Sequence, residues 1–354
     1  MAPDSHLDGR RLGELHSRFQ RFLLKTTLPV CLGLTILSSS IADARTEPYR
    51  DSWNTPVASL VAPSKPPETG APGMASLSPQ SLFSHPSPAG QHWSSRNQIT
   101  IPNHPAIEKH IRFYQGKGRV TFSSALNRSC PYLPIMADIL ESFGVPAEMV
   151  AVVMVESCFK RKASYKGAGG YWQLLTSTAR KMGLRVDRWV DERRDPVKST
   201  QAAAGYLRSL YNQFRSWPMA LAAYNTGERP VSGAVRRHGS SDFWDLSRRG
   251  ALPARARGYV PKVLAAARIM SDLKSYGFEP PQPSPLYDFE ALTVRSPLKL
   301  EQVARWIDMP VSDLKDLNPS LRLDRLPPDG GVHLRLPSGA RDKFDLAYEG
   351  YLRN

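Results

Sequence analysis

Residues 147–159 read AEMVAVVMVESCF, and the helix they imply decides the fold. The run is nearly all apolar and has no polar face, so it describes a helix buried on every side rather than an amphipathic surface helix. Pro146 stands just ahead of it, where a first-turn proline is tolerated, and Pro131 opens the segment 131–143 in the same way. Gly144-Val145 between them is a short antiparallel connection, so 131–143 and 146–159 predict a helical hairpin. Glu156 interrupts the hydrocarbon in the last turn of the second helix. Desolvation and the negative end of the helix dipole both disfavour a carboxylate there. Both effects raise its pKa and keep a proton on it near neutrality, as a general acid needs. A glutamate that simply emerges into water at a helix end is the plainer reading, and on composition alone the two stand side by side.

Helical signals extend on both sides of this stretch, to about Gly277. Asp195-Pro196 is an N-cap followed by a first-turn proline, and Ala203, Tyr206, Leu207, Leu210, Tyr211 and Phe214 then recur at three and four residues. PMALAAYNTG (218–227) starts at a proline, is nearly all apolar and stops at a glycine, which describes a short buried helix. YVPKVLAAARIM (259–270) describes another. Strand-like alternation is scarce, so 106–280 is expected to be an all-α domain. Beyond the Pro-rich GFEPPQPSP (277–285) the pattern changes. Residues 287–295 read as a strand, 300–307 and 311–317 as two short helices, and 332–336 as a closing strand, a small βααβ module within 286–340.

Three further stretches place polar groups where packing alone does not need them. SYKGAGGYWQ (164–173) sets Ser164, a glycine cluster that includes Gly170, the aromatic face of Trp172 and the amide of Gln173 just after the helix bearing Glu156. Glycines there let backbone approach a ligand closely. The stretch is no phosphate loop, since it has neither G-x-G-x-x-G nor a lysine-serine pair after a strand. ALAAYNTG (220–227) puts Tyr224 and Asn225 at the end of a buried helix, and RGYVPK (257–262) adds Tyr259. Singly, each is an ordinary core aromatic followed by a turn. No H-E-x-x-H and no cysteine-histidine cluster is present, so neither metal nor other cofactor is expected.

The two ends of the chain bear on compartment. Arg10, Arg11, Arg18, Arg21 and Lys25 lead into the apolar run 28–41 and then Ala42-Asp43-Ala44, the pattern of a secretory signal with its cleavage site. That run is shorter than the roughly 17 to 25 residues of a spanning helix, so cleavage is expected and an uncleaved membrane anchor is the alternative. Residues 45–105 are rich in Pro and Ser and poor in aliphatic runs, the composition of a disordered linker. Of the formal charge of +15 on 354 residues, loss of 1–44 removes five basic and four acidic side chains and leaves +14. Such a balance fits an anionic polymer or membrane, and export argues against nucleic acid as the partner. Cys130 and Cys158 are the only cysteines beyond the leader. In an antiparallel hairpin with arms of similar length they fall at the same open end, which predicts a disulfide, with two buried free thiols as the alternative.

In this order the motifs resemble the family 1 lytic murein transglycosylases, most closely the membrane-bound lytic murein transglycosylase D subgroup. The matched set is ES at Glu156-Ser157, S..GA.G.WQ from Ser164 to Gln173, TAR..GL from Thr178 to Leu184, D.R.DP..S from Asp191 to Ser199, ALAAYN.G and YVPK. The resemblance implies a mainly α, lysozyme-like catalytic domain acting on peptidoglycan strands in the periplasm or cell envelope. It implies Glu156 as catalytic acid and then base, with Ser164, Gly170, Trp172, Gln173, Tyr224, Asn225 and Tyr259 lining the substrate cleft and no metal. Ala254 and Arg255 stand where the family usually shows Glu-Thr. The carboxy-terminal module resembles a LysM domain through LKLEQVARWIDMPVSDLKDLNPSL (298–321), with Arg295-Ser296-Pro297-Leu298 in place of the usual glycine-aspartate turn. A goose-type lysozyme and a non-catalytic cell-wall scaffold are the alternatives to a transglycosylase. The sequence leaves the oligomeric state open.

Overall fold

The computed structural model describes residues 99–281, 289–330 and 332–353. The predicted leader 1–44 and nearly all of the predicted linker 45–105 lie outside them. Among the described residues no helix is long and apolar enough to cross a membrane.

The helices of the larger domain are α1 (Pro105–Gln115), α2 (Arg119–Ser129), α3 (Leu133–Ser142), α4 (Ala151–Glu156), α5 (Thr176–Lys181), α6 (Pro196–Phe214), α7 (Trp217–Thr226), α8 (Glu228–His238), α9 (Phe243–Arg248) and α10 (Ala254–Ser271). Helix α10 is the spine, packing against α1, α4 and α7, while α6 packs on α3 and α7. Its sequence explains the position: Ala256, Tyr259, Val260, Val263 to Ala267, Ile269 and Met270 are all buried. The sequence pattern places this helix at 259–270, but it starts at Ala254 and carries Pro261 inside it. Proline removes one N–H and crowds the preceding turn. Here burial on nearly every side holds the helix together through the interruption.

Caps fix the other helices. The Asp195 carboxylate accepts from the backbone N–H of Val197 and Lys198, both at 2.9 Å, and Pro196 occupies the first position of α6. Ser216 caps α7 at its start, and Gly227, at φ 88°, ends it.

The central hairpin differs from its expected form at one end. Helix α3 is in place, but the second arm begins as a 3-10 turn over Ala147–Val150, continues as α4 and stops at Glu156. Cys158 and Phe159 take φ of 51° and 58°, so the chain leaves the helix axis just after the glutamate. No disulfide joins Cys130 to Cys158. That end of the hairpin is tied instead by the Arg128 guanidinium, whose Nε donates to the Cys158 carbonyl at 2.9 Å.

A small antiparallel sheet follows where only a glycine-rich loop is legible: β1 (Ser164–Tyr165), β2 (Ala168–Gly169) and β3 (Leu174–Leu175). The β1–β2 turn is Lys166-Gly167, both at positive φ, as a two-residue hairpin turn of the favoured twist requires. Gly170 sits at φ 75°, and a Cβ built there would lie 1.8 Å from the Arg193 carbonyl oxygen.

The smaller module contains β4 (Glu290–Thr293), α11 (Leu300–Trp306), α12 (Val311–Leu317) and β5 (His333–Leu336), with β4 and β5 paired antiparallel. It extends further than its expected boundary at 340. Helix α13 (Arg341–Arg353) inserts Phe344 into the module's core beside Leu300, Val303 and Leu336. The module is therefore βααβα.

Gly170→Ala is expected to destabilise the protein by roughly 3 kcal/mol or more, because left-handed strain adds to a backbone clash. Thermal unfolding of the two proteins side by side checks this; equal midpoints would show that the hairpin moves freely.

Candidate active site

Glu156 is the last residue of α4, and its position follows from the hydrocarbon ahead of it: Ala151 to Met154 are buried. The residue is half-buried. Removal of its carboxyl from water pushes its pKa up, while the Tyr259 hydroxyl and the charges of Lys262 and Arg255 pull it back. Desolvation dominates. The shift expected from sequence is thus present and has its main cause in burial.

Three groups meet at this carboxyl. Tyr259 comes from α10, is almost fully buried, and its hydroxyl faces Glu156 without reaching full hydrogen-bond geometry with any partner. Tyr224 comes from the end of α7 and donates its hydroxyl proton to the Trp172 carbonyl at 2.7 Å. Burial first, and the nearby Glu156 second, raise both phenol pKa values well above the ordinary range, so both stay neutral hydrogen-bond donors. Ser157, next to the glutamate, is buried and donates to the Tyr171 carbonyl at 2.7 Å. These two bonds hang the 171–172 backbone between α4 and α7, fixing the hairpin edge beside the carboxyl.

The remaining candidates occupy varied positions. Trp172 is completely buried, with its indole N–H donated to Thr200 Oγ1 at 2.9 Å, so it offers no stacking face and serves as core. Gln173 is held at φ 48° and its amide nitrogen donates to the carbonyls of Ala163 (3.0 Å) and Gly170 (2.8 Å), which locks the loop. Gly170 is buried against Arg193, so the backbone that approaches it closely is the protein's own. Asn225 is half-buried, and its Oδ1 is sealed from solvent without a hydrogen-bond partner. Ser164 lies exposed on β1.

Two features of the site lie in motifs already quoted but were given no role from sequence. One is the cation pair Arg255 and Lys262, which share a face of α10 with Tyr259 at spacings of four and three residues. The periodicity carried that signal. The other is Arg193, which donates to the carbonyls of Gly167 (2.8 Å) and Leu174 (3.1 Å) and to Thr176 Oγ1 (3.1 Å), tying the β1–β2 turn to β3 and the start of α5. Its partner Asp191 takes two further bonds, at 2.8 and 2.9 Å. Nothing local marks an arginine for such a task. Among the described residues no group of three or more His, Cys, Asp or Glu is placed to hold a metal ion.

A desolvated carboxyl beside two neutral phenols in a buried helical core is suited to proton transfer. Comparison with known proteins matches two domains of the chain. Residues 139–247 match the transglycosylase SLT domain, and residues 288–351 match the LysM-like domain of lytic transglycosylase MltD. The chain is similar to membrane-bound lytic murein transglycosylase D of Escherichia coli K12, with 31% identity over 266 residues, 73% of this chain and 58% of that protein. It is also similar to a putative tributyltin chloride resistance protein of Alteromonas, with 34% identity over 110 residues, 30% of this chain and 53% of that protein. The solved 70 kDa soluble lytic transglycosylase of Escherichia coli aligns over 52% of this chain and 33% of its own, with 19% identity and a TM-score of 0.37. The chain thus carries a transglycosylase SLT domain followed by a LysM-like domain of the MltD type. It spans 58% of the D-type relative's length.

The raised Glu156 pKa has a consequence for stability. A carboxyl whose folded pKa exceeds its unfolded value favours folding while protonated, and that advantage is lost as pH rises through the folded pKa. Glu156→Gln is therefore expected to raise the melting temperature at neutral pH and to leave it nearly unchanged near pH 3.5, below the ordinary glutamate value of about 4.3. Melting curves at the two pH values check the sign.

Proposed function

We propose that the protein is a peptidoglycan lytic transglycosylase that cleaves the β-1,4 bond between N-acetylmuramic acid and N-acetylglucosamine. The single observation that carries this reading is the desolvated carboxyl of Glu156 set against two neutral tyrosines. In the reaction Glu156 first gives its proton to the glycosidic oxygen as the C1–O bond breaks. The resulting carboxylate then takes the proton of the muramic acid 6-hydroxyl as that oxygen bonds to C1. The product is a 1,6-anhydro end, no water is consumed, and the proton returns to Glu156. One carboxyl suffices, unlike the carboxylate pair of most glycosidases.

The cation field of Lys262 and Arg255 suits this double use. Burial keeps the acid protonated before the first step, and the two charges and the Tyr259 hydroxyl stabilise the anion that exists between the steps. In this reading the exposed Ser164 is a candidate for sugar contact.

The same reading assigns residues 1–44 to export, 45–105 to a linker, 106–280 to catalysis and the segment from 286 onward to the LysM-like module, with the cell envelope as the place of action. The D-type relative is named as membrane-bound, which fits an envelope location for this chain.

Mass analysis of fragments released from purified sacculi tests the proposal: anhydro ends are expected, and products heavier by one water would make the enzyme a hydrolase. Glu156→Gln is expected to fold, to bind sacculi and to lose at least about a thousandfold in turnover, since the amide fills the space but transfers no proton. Lysis near the wild-type rate would remove Glu156 from the mechanism.

A further inference from the structure

The LysM resemblance leaves sugar binding and packing against the catalytic domain as alternatives for the carboxy-terminal module, and several of its polar groups are turned toward the catalytic domain. Arg335, on β5, is buried, and its guanidinium pairs with Asp195 at 2.6 Å and lies over the Phe289 ring at 4.2 Å. Its backbone is held in turn by Asn318, which accepts from the Arg335 N–H and donates to its carbonyl, both at 2.8 Å. The loop after α12 pairs as backbone with the segment before α6: the Asp191 N–H donates to the Ser320 carbonyl (2.8 Å) and the Arg322 N–H to the Trp189 carbonyl (2.9 Å). Arg185 pairs with Asp329 at 2.9 Å, and Arg161 pairs with Asp316.

Apart from Arg161–Asp316, the contacts between the module and the catalytic domain converge on residues 185–195, the segment that carries Arg193. Asp191 is bonded at once to the module through its backbone and to Arg193 through its side chain. Asp195 divides its carboxylate, one oxygen capping α6 and the other meeting Arg335. Arg193 then holds the β1–β2 turn and β3, and the 171–172 backbone that leads into β3 is bonded to Ser157 and Tyr224 beside Glu156.

We propose that the LysM-like module is a strut of the active site, and that Arg335 is a positioning residue that acts through Asp195 and the 185–195 segment to hold the catalytic hairpin against Glu156. This rests on the transglycosylase reading for its kinetic arm but not for its structural one.

The test uses the full chain with Arg335→Met, kept well below its unfolding midpoint, and Arg341→Ala on the exposed face of α13 as a control. Hydrogen exchange of the hairpin amides 165–175 is expected to quicken about tenfold, while α1 and α10 keep wild-type protection. On sacculi kcat is expected to fall about tenfold with KM within about twofold, and Arg335→Lys is expected to recover most of the loss. Hairpin exchange equal to wild type in a folded Arg335→Met protein overturns the proposal, and so does a loss confined to KM, which would make the module a glycan holder. Should Arg335→Met fail to fold, the double variant Asp195→Asn with Arg335→Met keeps an oxygen for the cap, leaves no orphan charge and is read in the same way. If the wild type releases no anhydro product, the function reading fails and hydrogen exchange alone decides the strut.

Discussion

One carboxyl, carried out of water at the end of a helix made of hydrocarbon, sets the terms for the rest of the molecule. Glu156 can be held there only because α4 is buried between α10 and the α2–α3 arm, and α10 is in turn buried against α1 and α7. Burying an ionisable group costs free energy that nearby donors offset only in part. Tyr259, Lys262 and Arg255 provide that offset from one face of a single helix. The site is thus a property of the core rather than a decoration on its surface, and changes that loosen α10 will reach the carboxyl directly.

A second constraint is polar. The Arg193–Asp191 pair is almost wholly buried, at 9% and 5% side-chain exposure, and each of its charges is bonded several times over. Buried ion pairs contribute little net stability against an apolar replacement but penalise every geometry in which a partner is lost. Here that penalty falls on the hairpin. Strands of two residues each hold register weakly by cross-strand pairing alone, and the arginine supplements it by bonding the carbonyls of the β1–β2 turn and of β3. Gly170 shows how tight the arrangement is, since no larger residue fits between its backbone and Arg193.

Most of the fold was legible because local signals agreed with the final packing. The Asp195-Pro196 cap, the glycine after α7 and the all-apolar run before Glu156 each specify their element from within. The misses share a cause. The hairpin at 164–175 has no alternating pattern to read, because its order comes from Arg193, about twenty residues away. The start of α10 was masked by Pro261, whose usual meaning is overridden by burial. Trp172 shows the limit for the site: an aromatic beside glycines reads as a stacking surface, and only the fold reveals that its N–H is spent on Thr200 and its ring on the core. Helix α13 was legible in principle, since Phe344, Tyr348 and Tyr351 recur at four and three residues.

The two constraints meet in the chemistry. A single group that must give a proton and then take one back cannot rely on a partner carboxylate to hold the other half of the reaction, so its own environment has to tolerate both charge states. Desolvation favours the acid and the two cations with Tyr259 favour the anion, and neither influence removes the other. Such a balance depends on distance, because each opposing term changes steeply as the groups shift. A site of this kind therefore needs its surroundings fixed more than it needs them varied. That requirement gives a physical reason for a second module to be bonded, through buried charges, to the segment that holds the hairpin.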